Sequence, residues 1–170
     1  MIYRTRTYIA GDWDHDWGAI EQLYKWNDSD HWGLSFPDAH ELQQSRDTSL
    51  PCSIKKSLRM RMDHSKRFVL IVGDHTASVT KGSCQFCSSY NSHTFSCARG
   101  NSIDYRSYIK LECEMAANAN IDIAVLYKST IVTKSKCPEA VRYMGKHVPM
   151  ICYKNGNYLW DYQTVKKALE

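Results

Sequence analysis

The chain has 170 residues, 43% of them hydrophobic and 24% charged, with a net charge of +4 and no low-complexity tract. That composition suits a globular protein with a buried core and excludes collagen-like, disordered and disulfide-scaffold chains. So mild a charge gives no reason to expect nucleic acid as a partner.

The opening MIYRTRTYIAG lacks a long apolar run behind its charges, so it does not read as a secretory signal. The longest apolar runs, such as 68–72 and 123–127, are too short to cross a bilayer, and no membrane association is expected. Seven cysteines without such a signal predict reduced thiols, a metal site, or both, in a cytoplasmic protein.

Residues 3–9 alternate and stop at Ala10-Gly11, which predicts a first strand. Residues 14–27 place Trp17, Ile20, Leu23 and Tyr24 on one helical face, with Asp14 and Asp16 in a loop and N-cap role. A short second strand is expected at 33–36. The next helix opens near Pro51 and is marked by Ile54, Leu58 and Met62. Its basic run, Lys55, Lys56, Arg59 and Arg61, continued by Lys66 and Arg67, reads as a solvated face. Residues 67–72 (RFVLIV) are continuously apolar after the arginine, the pattern of a central strand buried on both sides.

Gly73 ends that strand, and a Cys-rich insertion follows at about 76–102. A helical stripe then runs through Tyr105, Tyr108, Ile109, Ala116 and Ala119. Residues 121–127 predict another buried strand, 137–144 a short helix, and 147–153 a last strand. Pro149 places that strand at an edge, because proline has no N–H for a ladder. Residues 161–169 close the chain as a helix. Strands alternating with helices predict an α/β, flavodoxin-like, three-layer fold with a mostly parallel sheet of about five strands. No linker or repeat divides the chain, so one domain over 1–170 is expected.

Glu112 interrupts the apolar stripe, four residues from Tyr108 and four from Ala116. Either it lies at the stripe's edge and reaches water, or it is a desolvated carboxylate beside a pocket. In the second case its pKa would rise and it could contact sugar hydroxyls or a developing cation. Ligands of such folds gather beyond the carboxyl ends of the strands, where Gly11, Asp12, Trp13 and His75 would stand. Trp13 is placed to stack on a ligand there.

Cys84, Cys87, His93 and Cys97 form C-x2-C-x5-H-x3-C, close to a zinc-knuckle spacing, and would make a structural zinc site. The other reading is a loop of reduced thiols held by its own packing. Asp12, Asp14 and Asp74 imitate the acid set of a phosphoreceiver domain, for which Lys154 is a poor partner; that reading explains neither Glu112 nor the insertion.

SYIKLECEMA (residues 107–116) resembles the helix of TIR and TIR-like domains, in which an aromatic residue precedes the catalytic glutamate by four. RTYIAGDWDHDW is similar to their opening strand and loop, and RFVLIVGDHT to the strand before the active-site helix. YKSTIVTKSKCPEA and YLWDYQTVKKAL are like the bacterial TIR-like branch of Thoeris antiphage defence. The resemblance implies an enzyme that consumes NAD, cleaves the nicotinamide–ribose bond and makes a cyclic or conjugated ADP-ribose signal. It gives Glu112 the catalytic position, Tyr108 the aromatic position beside nicotinamide, and Ala10, Gly11 and Asp12 the loop lining the site. It also implies a separate effector protein that receives the signal, a phage-protein trigger, and self-association. The family more often carries Trp where this chain has Tyr108. The alternative it leaves is a non-catalytic TIR-like adaptor that works through protein contacts.

Overall fold

In a computed structural model of the chain, residues 3–41 and 49–170 are described. Strand β1 is Arg6–Ala10 and helix α1 is Trp17–Asp28. Helix α2, Pro51–Asp63, begins with a proline whose missing N–H would be unpaired in any first turn. It leads into strand β2, Ser65–Val72. The insertion holds two-residue strands β3, Tyr90–Asn91, and β4, Ser96–Cys97. Helix α3, Tyr108–Asn118, precedes strand β5, Asp122–Tyr127. Strand β6, Lys146–Pro149, is followed by β7, Ile151–Lys154, β8, Asn157–Trp160, and helix α4, Tyr162–Leu169.

The main sheet runs β1-β2-β5-β6, with every neighbour parallel. Period two sends Phe68, Leu70 and Val72 of β2 to one face and Val69 and Ile71 to the other, and both faces are covered. The first face meets α2 and α3 through Leu58, Met62, Ile109, Cys113 and Ala116. The second meets α1 and α4 through Ile20, Leu23, Val165 and Leu169. The layers are therefore helix, sheet, helix, a flavodoxin-like α/β arrangement.

Several expectations change. The expected second strand at 33–36 does not form, and pairing in this region shrinks to one parallel bridge between Asp38 and Thr7. Thr7 N–H donates to the Pro37 carbonyl at 2.8 Å. The sheet thus has four strands among the described residues. With the Asp38 bridge in the second strand's place, the segments cross the sheet in flavodoxin-like order.

The expected last strand divides in two. Lys146–Pro149 takes the sheet edge, while Ile151–Lys154 leaves to pair antiparallel with Asn157–Trp160. The short helix expected at 137–144 contracts to a 3-10 turn at Glu139–Val141. No helix among the described residues is long and apolar enough to cross a membrane.

Candidate active site

Ser107 caps α3, its hydroxyl accepting the Lys110 N–H at 3.2 Å. That cap sets the helix so that Ile109, Cys113 and Ala116 face the core, and Glu112 turns inward with them. Tyr105 lies outside the helix and is exposed, so the apolar stripe begins one turn later than its spacing suggests. Glu112 is 7% exposed, and its Oε1 accepts the Tyr8 hydroxyl at 2.6 Å. Burial pushes its carboxyl up to about 7; the Tyr8 hydrogen bond and the Arg61 charge hold it partly back. Burial, followed by the Glu112 charge, raises the Tyr8 phenol well above its ordinary value.

Tyr8 and Arg61 are the residues beside Glu112 that sequence reasoning missed. Tyr8 stands in mid-β1 with its ring tilted against Phe68 and His40, centroids 5.8 and 5.7 Å away. Arg61 and Lys55 do not belong to a solvated face, for both are buried. Each lies three residues from Leu58 on the apolar side of α2, a helical spacing of the same kind as the four-residue one that marked Glu112 on α3. That signal was available for both. Lys55 Nζ is held by the carbonyls of Asp104 and Arg106 at 3.0 and 2.7 Å. Arg61 Nε has no hydrogen-bond partner among the described residues.

Trp13 is exposed and reaches this region through His40, the two rings 5.5 Å apart and T-shaped. Asp38 orients His40, taking its backbone N–H and Nδ1 at 3.0 Å, and accepts the Tyr24 hydroxyl at 2.7 Å. The chain of contacts from Glu112 through Tyr8 and His40 to Trp13 therefore joins α3 to the loop after β1.

The remaining rim residues serve one another. Ala10 and Gly11 are buried at the end of β1. Asp12 accepts the backbone N–H groups of Asp14 and His15 at 3.1 and 3.4 Å, and its other oxygen pairs with His15 Nδ1 at 2.7 Å. His75 is exposed and its ring is tilted against that of His15, centroids 4.6 Å apart. Asp16 occupies the N-cap position of α1 without capping it. Its carboxylate instead meets Lys128 Nζ at 3.3 Å and the Thr76 hydroxyl at 3.4 Å. Asp14 pairs with Lys81 and Asp74 with Lys136, so the acids of the phosphoreceiver reading face separate partners.

Tyr108 stands one turn before Glu112, but its ring is turned to the insertion. A Cβ on Gly82 would lie 2.5 Å from that ring. Burial, with the thiols of Cys87, Cys52 and Cys84 nearby, pushes the Tyr108 phenol up to about 12. On the outward side of α3 runs a groove of about 590 Å³, walled by Ser83, Tyr105, Ile109, Lys110, Glu114 and Arg142 among others. Glu112 is not in its wall.

The four expected metal ligands do not stay together. Cys84, Cys87 and Cys97 line one small cavity, whereas His93 sits exposed in the turn between β3 and β4. Cys52, from the first turn of α2, lines the same cavity. Among the described residues, no group of three or more His, Cys, Asp or Glu side chains is arranged to hold an ion.

Compared with known families, residues 8–81 match the family described as Thoeris protein ThsB, TIR-like domain. That span holds Tyr8, the loop after β1, Arg61 and His75, and it ends before α3 and Glu112. No curated protein matches the chain.

Proposed function

We propose that this chain, a Thoeris ThsB-like TIR-like protein by its match over residues 8–81, cleaves the bond between nicotinamide and ribose in NAD, with Glu112 as the catalytic residue. The observation that carries this reading is a desolvated carboxyl, pushed up to about 7, on the apolar side of α3. Strongly perturbed carboxyls cluster where proteins do chemistry. The position of Glu112 in SYIKLECEMA is the one the TIR resemblance makes catalytic.

The chemistry asks little more of the protein. When the C1′–N bond breaks, its electron pair leaves with nicotinamide and neutralises the pyridinium, so no strong acid is needed. The ribose left behind has oxocarbenium character, as in glycoside hydrolysis. A carboxylate beside it stabilises that cation, most effectively where water is excluded. Water, or a nucleophilic atom of the nucleotide itself, then bonds to C1′ and gives up its proton. The product is ADP-ribose or a cyclic or conjugated form of it. Tyr8 orients the carboxyl. Trp13, with its exposed indole, and Arg61, whose Nε has no partner among the described residues, are the contacts assigned to the substrate. Infection supplies the trigger, self-association completes the site, and a separate effector reads the signal.

A second reading is a TIR-like adaptor without turnover. One observation favours it: the Glu112 carboxyl is already satisfied by Tyr8 within the core. Nicotinamide release from NAD, followed by chromatography in resting and phage-infected lysates, separates the two. Glu112→Gln keeps an oxygen for the Tyr8 hydroxyl, so the fold should persist. Release by wild type alone supports the enzyme. No release by wild type after infection, with the protein present and folded, selects the adaptor.

A further inference from the structure

The groove outside α3 carries chemistry that the site around Glu112 does not use. Its volume of about 590 Å³ lies in the range of small-ligand sites. Three elements wall it: the loop after β2, the first two turns of α3, and the 3-10 turn at Glu139–Val141 with the arginine that follows.

The start of α3 meets this groove through Ser107, Ile109 and Lys110. Tyr108 N–H donates to the Lys81 carbonyl at 2.9 Å, and Lys110 N–H to the Ser107 hydroxyl at 3.2 Å. The Ile109 N–H between them has no partner among the described residues. A spare N–H at a helix start favours an anion, but a helix start alone does not make a site.

Ser83 supplies the independent sign. It lines the same groove, is 3% exposed, and its hydroxyl has no hydrogen-bond partner among the described residues. An unpaired buried hydroxyl carries an uncompensated desolvation cost, which a ligand oxygen would relieve. Its neighbours place it beside the helix start: Lys81 takes the Tyr108 N–H, and a Cβ on Gly82 would lie 2.5 Å from the Tyr108 ring.

Two cations stand on the wall. Lys110 is exposed. Arg142 gives Nε and Nη2 to the Cys137 carbonyl at 3.2 and 3.1 Å, which fixes its guanidinium and leaves Nη1 for a ligand. Glu114 lies seven residues beyond Ser107, about 10 Å along the helix. Arg106 takes its Oε2 at 2.7 Å, so the other oxygen is left to accept a hydroxyl. Tyr105 borders the groove half exposed, its ring fixed by Tyr90 through a 3.1 Å hydroxyl contact.

We infer that this groove binds a nucleoside monophosphate group. Its phosphate meets the Ile109 N–H, the Ser83 hydroxyl, Lys110 and Arg142. The ribose hydroxyls donate to Glu114, and the base stacks on Tyr105, a contact that discriminates little among bases. Glu139, exposed on the same wall, opposes a bare anion, so phosphate without the rest of the nucleotide binds poorly. No bond is made or broken in this groove, and the site stands whether or not Glu112 is catalytic.

The test is titration calorimetry on the purified full-length chain with AMP as the probe. Adenosine, inorganic phosphate and ribose 5-phosphate should each bind at least about tenfold more weakly than AMP. Ribose 5-phosphate binding as tightly as AMP would assign the groove to sugar phosphates and overturn the nucleotide. Ser83→Ala removes only an unpaired hydroxyl, so it should melt no lower than wild type while weakening AMP about tenfold. Lys110→Glu completes a capping box with Ser107, which preserves the helix, and should weaken AMP at least about tenfold. Trp13→Ala should bind AMP as wild type does. Loss in Trp13→Ala with retention in Ser83→Ala and Lys110→Glu would move AMP to the inward site and overturn the inference. So would the absence of AMP binding by folded wild type at millimolar concentration.

Discussion

The two sides of α3 differ in kind. The inward side carries a desolvated acid, a phenol bonded to it and a nearby buried guanidinium, in a space filled by core. The outward side carries Lys110 and Glu114 along a groove of about 590 Å³, and Glu114 is already paired with Arg106 at 2.7 Å. Size alone would place a ligand outside, whereas the proposed chemistry rests on the perturbed carboxyl inside. The difference teaches that a cavity and a perturbed carboxyl need not coincide, because a carboxyl gains its raised pKa by losing the space around it.

The largest effect should come from Glu112→Gln, which should lower nicotinamide release about 10³-fold, whereas Lys110→Ala should change it less than about threefold. A reversed order in the same chromatographic assay would move the substrate to the outward groove.

The next largest effect is on pH dependence. Glu112 is raised from an ordinary 4.5 to about 7, so the native chain holds that proton more tightly than the unfolded one. The stability it contributes is fully present below about pH 4.5 and lost as pH rises through about 7. In denaturant titrations, wild type should lose about 3 kcal/mol relative to Glu112→Gln across that window. A difference that stays flat with pH would mean that the carboxyl is solvated.

Gly82→Ala tests how the insertion is seated on α3. Its φ of +97° disfavours a side chain, and the new methyl would meet the Tyr108 ring at 2.5 Å. Thermal unfolding should report a loss of about 2 kcal/mol. An unchanged melting temperature would show that Tyr108 is free to leave the insertion and join the inward site. The smallest effect belongs to Tyr8→Phe. It should cost about 1 kcal/mol and raise the Glu112 pKa further, visible as a shift of the carboxyl titration by NMR. A lowered pKa would remove Tyr8 as the donor.

Much of the architecture was legible because it follows from period and run length. The continuous apolar run in β2 and the inward stripes of α1, α2 and α3 each declare a buried face without reference to the rest of the chain. What failed was pairing. Residues 33–36 suggest a strand, yet they form none, and only Asp38 bridges β1. The divided last strand had an unread signal in Asn155-Gly156, both with positive φ, the dipeptide that turns a tight hairpin between β7 and β8. The basic run of α2 misled because it was grouped by charge, while Lys55 and Arg61 follow the helical period inward.

Within a single helix, the residues were sufficient to turn Glu112 inward, since a helix commits its faces by local geometry. They could not say that the hydroxyl waiting there belongs to Tyr8, 104 positions earlier. Nor could they say that Cys52 rather than His93 would share a cavity with Cys97. Those meetings depend on parallel strand register and on how a coreless insertion folds back, and only closing the whole chain brings such distant positions within reach of one another.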